Sequence, residues 1–144
     1  MNVQVLSQKV AAMHPIDLGV VGSALGLVVE ELSADLVRVS WQVTPALHQP
    51  AGIMHGGIHC WVVETLASMG ATAWLDQQPG EGAVVVGVSN QTDFYRPVRD
   101  GQLTSTATPV HRGRTQQVWV ISTADDQGRL VARGQVRLQN LAPR

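Results

Sequence analysis

The chain has 144 residues, 44% of them hydrophobic and 15% charged, which suits one domain with a proper buried core. A formal net charge of −1 leaves no basic field for a nucleic acid. Cys60 is the only cysteine, so an internal disulfide is excluded and a reducing, cytoplasmic setting is expected.

Residues 3–13 read as a short amphipathic helix ended by His14-Pro15, with Asn2, Gln4, Ser7 and Gln8 too polar for a signal-peptide core. The glycine-rich stretch through Gly26 has no assignable period. In 36–44, Val37, Val39, Trp41 and Val43 alternate with Arg38, Ser40 and Gln42, the period of a half-buried strand. It pairs with 26–32 across Ser33-Ala34-Asp35. Residues 45–54 form a loop with two prolines, His48 and Gln49. His55-Gly56-Gly57 then opens a long apolar segment, 58–75, that reads as a buried helix. Glu64, Ser68, His59 and two threonines argue against a membrane span. Turn signals at Pro79-Gly80, Asp100-Gly101, Arg112-Gly113 and Asp126-Gln127-Gly128 bound strand-like runs near 83–96, 102–111, 115–124 and 129–140. Pro109, late in its run, predicts an edge or a bulge. Short turns favour antiparallel pairing, and one long helix on such a sheet gives an α+β arrangement.

The chemistry centres on Glu64. An acid in a buried helix is costly unless it is paired or used. Gly56 and Gly57 at the helix mouth admit a substrate to backbone N–H groups, and a helix N-terminus favours developing negative charge. Together they suggest hydrolysis of an activated carbonyl, with the Gly56 N–H as oxyanion donor. Glu64 would attack the carbonyl or deprotonate a water; as a purely structural acid it would pair with His55 or an arginine. Eight residues separate Gly56 from Glu64, about 12 Å at about 1.5 Å per residue. Glu64 therefore falls short of its own helix mouth, and an antiparallel helix of a second subunit would supply it. Ser68, one turn beyond, can hold the acid or a water, or merely satisfy the helix backbone. Cys60 also lies one turn from Glu64, but His59 points elsewhere, so a small buried cysteine is expected. His55 and His59 are spaced for a metal, yet Gly56 stands where a zincin motif needs glutamate, and no metal is expected.

The run from Gln49 through His55-Gly56-Gly57, followed by Glu64 and Ser68, resembles the hotdog-fold thioesterases of the phenylacetate-degradation (PaaI-like) type. The similarity takes in Val86-Gly87-Val88-Ser89-Asn90, Arg96-Pro97 and His111-Arg112-Gly113-Arg114, covering roughly residues 25–141. It implies hydrolysis of acyl- or aroyl-coenzyme A, with no cofactor beyond the coenzyme A of the substrate. The implied fold is a long central helix wrapped by a curved antiparallel sheet, forming homodimers often paired into tetramers, with sites at the dimer interface. Residues 1–18 are expected as an N-terminal helix and connector, and 19–144 as a single hotdog domain.

The resemblance also gives Gln49 a role in placing the reacting carbonyl or water. His55 orients the substrate or the loop, or simply enters the helix. Gly57 adjoins the substrate, and Asn90 and Asp93 border the acyl or pantetheine channel. Arg96, Arg112, Gly113 and Arg114 would grip coenzyme A phosphates, against the default of a solvated turn. Trp61, Trp74, Phe94 and Tyr95 line an aromatic-sized pocket or fill the core. The rival activities are dehydration of 3-hydroxyacyl thioesters and non-catalytic acyl-CoA binding.

Overall fold

The computed structural model describes residues 18–80 and 82–142; the helix expected over 3–13 lies outside them. In order come α1 (Gly19–Leu25), β1 (Val28–Leu32), β2 (Val37–Gln42), a 3-10 turn (Pro45–Leu47), α2 (Gly56–Leu75), β3 (Val84–Phe94), β4 (Gln102–Arg112), β5 (Gln116–Asp125) and β6 (Leu130–Leu141). α1 falls in the stretch that carried no period. It buries only Gly22 and Leu25 and stops at Gly26, whose φ of 61° closes the left-handed cap.

The six strands form one antiparallel sheet in the order β1-β2-β4-β5-β6-β3, and α2 touches all six. This is the α+β arrangement of one long helix on one sheet face. Val62, Val63, Leu66, Ala67 and Ala71 of α2 meet Val37, Val39 and Trp41 of β2, Leu103 of β4, Trp119 and Ile121 of β5, and Val136 and Leu138 of β6. Gly70 sets the spacing, because a Cβ there would lie 2.5 Å from the Trp119 ring. The two core indoles are paired: Trp41 Nε1 donates to Ser105 Oγ at 3.1 Å, and Trp119 Nε1 to Gln117 Oε1 at 3.0 Å.

Pro109 lies in an interior strand, not at an edge. The register of β4 on β5 slips between Pro109 and His111, and β2 pairs only as far as Ala107, so proline's missing N–H costs the ladder nothing. β3 and β4 follow each other in sequence but are separated by β5 and β6. The link between them crosses past the start of α2, where Met54 N–H donates to Val98 O at 2.7 Å. That crossing builds one wall of the site.

Candidate active site

His55 is the N-cap of α2, in extended conformation, and its Nδ1 accepts the Gly57 N–H at 2.9 Å. Its carbonyl accepts the Ile58 N–H at 3.0 Å. Of the entry N–H groups, Gly57's is thus taken and Gly56's has no partner among the described residues. A side chain at Gly56 would strike the Phe94 ring, with its Cβ 2.7 Å away. The glycine leaves that N–H on a cavity of about 380 Å³, lined by Gln49, Gly56, His59, Phe94, Arg96 and their neighbours. Gln49 shapes the wall: its Oε1 accepts the Ala51 N–H at 2.6 Å, and its carbonyl the Gly52 N–H at 2.9 Å.

Glu64 is half-buried within the single chain, less enclosed than a buried-helix reading gives, because the row Cys60, Glu64, Ser68 runs beside β3 at the sheet edge. Cys60 is likewise half-buried, not a core residue. Asn90 Nδ2 reaches across from β3 to Glu64 Oε2 at 3.2 Å and to the Cys60 carbonyl at 3.0 Å. Among the described residues Glu64 is paired with neither His55 nor an arginine. No hydrogen bond joins it to Ser68 among the described residues. α2 runs unbroken from Gly56, so about 12 Å of axis separates the free N–H from the acid, at about 1.5 Å per residue.

The arginines divide between the two ends of the helix. Arg96 borders the mouth cavity, with its N–H on Val131 O at 3.2 Å. Arg112, Gly113 and Arg114 lie beside Trp74 and Leu75, lining a second cavity of about 710 Å³. That is eighteen residues past Gly56, about 27 Å along the axis. Arg112 is already engaged, its Nη1 donating to Ala34 O at 2.7 Å and Asp35 Oδ1 at 2.8 Å, with its guanidinium over the Trp74 ring. Arg114 is exposed and makes no such bond among the described residues. Asn140, which nothing in the local sequence marks, shapes this hairpin by donating to the carbonyls of Gly113 at 2.9 Å and Arg114 at 3.2 Å.

Asp93 stands opposite Arg133 in the β3–β6 register, on the sheet face away from α2 and remote from Glu64. Phe94 and Tyr95 are exposed at 52% and 54%, Trp61 and Trp74 half-buried, and the core aromatics are Trp41 and Trp119. Among the described residues no group of three or more His, Cys, Asp or Glu is placed to hold a metal ion, and no helix is long and apolar enough to cross a membrane.

Residues 51–132 match the family model of the thioesterase superfamily. A Mycobacterium tuberculosis protein named as an esterase, Rv1847, is 52% identical over 122 residues, 85% of this chain and 86% of the relative. Its solved structure superposes with a TM-score of 0.81, covering 86% and 98% of the two chains at 50% identity. The AziG protein of S. sahachiroi gives a TM-score of 0.81 at 55% identity, over 87% and 98%. The proofreading thioesterase EntH of Klebsiella pneumoniae is 37% identical over 105 residues, 73% of this chain and 74% of its own. The chain belongs to the thioesterase superfamily, with the hotdog fold described above. It is a thioester hydrolase, and its substrate is an acyl thioester.

Proposed function

We propose that the thioester is an acyl- or aroyl-coenzyme A and that two subunits share each site. The observation that carries this reading is the Gly56 N–H, unpartnered among the described residues, at the head of a 20-residue helix and on a cavity its own Glu64 does not reach. Bound with its carbonyl oxygen on that N–H, the thioester meets Glu64 of a neighbouring copy. Glu64 either takes a proton from the attacking water or attacks the carbonyl itself to form an anhydride that water then opens. In both routes the oxyanion is held at the helix N-terminus, and collapse expels the thiolate, which takes up a proton. Water is the only co-reactant, and neither metal nor cofactor enters.

Two features support a shared site. Among the described residues β3 leaves one side of its backbone unpaired along eleven residues, with Val84, Val86 and Val88 exposed, a surface fit for a second copy. In an antiparallel pair of helices, the subunit supplying Glu64 also places Trp74 and Arg114 about 15 Å further out, on the side where the nucleotide of coenzyme A would emerge. Glu64→Gln tests the acid. The near-isosteric amide keeps the fold and should reduce thiol release at least about 100-fold. Turnover within about threefold of wild type would remove Glu64 from the chemistry.

A further inference from the structure

β3 passes Glu64 with an irregularity. Its register on β6 slips between Gly87 and Ser89, leaving Val88 as an extra residue. Along an unbroken strand Gly87 and Asn90, three apart, would point to opposite faces. The bulge turns both toward α2: Gly87 pairs with Leu138 and Asn90 with Val136, and both partners are core residues. A Cβ at Gly87 would run into Glu64 Oε1, so only glycine leaves the carboxylate room to lie against the strand. Asn90 then grips Oε2 at 3.2 Å, leaving Oε1 without a hydrogen bond among the described residues and over bare backbone. Thr92 Oγ1 donates to Asn90 Oδ1 at 2.7 Å, which fixes the amide with its NH₂ toward the acid. Thr92 has space to do so because it faces Gly134, where a Cβ would lie 2.6 Å from its Oγ1.

We propose that the Val88 bulge builds a cradle for Glu64, in which Asn90 is a positioning residue for the acid and Thr92 a positioning residue for Asn90. The proposal rests on the reading of Glu64 as the working carboxylate. A half-buried glutamate at an open edge has three side-chain torsions to sample. Anchoring one oxygen by a donor that is itself anchored confines it, so the free oxygen meets the reacting atom in one geometry. Neither role needs contact with the substrate.

The test is steady-state hydrolysis by the full chain across pH, using whichever of benzoyl-CoA and hexanoyl-CoA is turned over faster. Asn90→Asp replaces the donor by a second carboxylate. It should lower kcat about tenfold or more with KM little changed, and shift the acid limb of the kcat profile to higher pH. Thr92→Val should lower kcat less, and Thr92→Ser, which keeps the hydroxyl, should restore it. That pair keeps the proposal testable if Asn90→Asp fails to fold. Wild-type kcat and pH profile in Asn90→Asp, or wild-type kcat in Thr92→Val, alongside an inactive Glu64→Gln, would overturn the cradle and leave the acid standing. An active Glu64→Gln would overturn both.

Discussion

His59 shows how much one side chain can depend on pH without doing chemistry. It is 4% exposed, stacked on Phe94 at 5.7 Å and edge-on to Trp41 at 6.1 Å, and its Nδ1 has no hydrogen-bond partner among the described residues. Burial penalises the imidazolium and lowers the pKa from 6.5 to about 4. The unfolded chain therefore binds this proton at a pH where the native state refuses it. Stability from this residue is complete above pH 6.5 and is lost as pH falls toward 4, a change on the order of 3 kcal/mol. Urea unfolding at pH 7.5 and pH 5 should show a smaller loss in His59→Phe than in wild type; equal losses would mean His59 does not titrate this way. The sequence offered His59 only as a metal or dyad candidate. Its seat between two rings depends on Trp41 and Phe94, eighteen and thirty-five residues away in sequence.

At the level of elements, legibility follows how one-sided each surface is. β2 has a core face and an outer face, so its alternation is plain in the sequence, and α2 is apolar enough to be read nearly to the residue. β3 begins Val84-Val85-Val86-Gly87-Val88, apolar on both faces, so neither its pairing with β6 nor the Val88 bulge could be read from it. Gly56 and Glu64 stand out because glycine and an acid are anomalous in such a helix. Asn90 gains its place beside Glu64 only through the bulge. The β4–β5 hairpin likewise separates two arginines that look equivalent. Arg112→Ala should lower stability by about 1–3 kcal/mol, since it strips the Ala34 carbonyl, Asp35 and the Trp74 ring of one partner. Arg114→Ala should leave the melting temperature unchanged and raise KM for an acyl-CoA, but not for the matching pantetheine thioester. Equal KM effects on the two substrates would make Arg114 an ordinary turn residue.

For the whole molecule, a shared site means that two dead subunits can make a live one. Glu64→Gln removes the acid. Gly56→Pro removes the polarising N–H at a position where proline suits a helix start, and half-exposed Phe94 can turn aside for the ring. Mixed under subunit exchange, the pair should regain activity approaching half of wild type per heterodimer. No recovery, with exchange seen by native mass spectrometry and both variants folded, would mean that each subunit works alone or that Gly56 is not the donor. The two borders of the sheet also differ in a way that bears on assembly. β1 spans only five residues, its register slips between Val29 and Glu31, and it carries Glu30 and Glu31, with Arg38 paired to Glu31. β3 is long and valine-rich. Strand-to-strand growth needs two adhesive borders per subunit, and among the described residues only β3 offers a long apolar one. On the proposed pairing of subunits, association through β3 ends at a closed pair instead of propagating into a fibre.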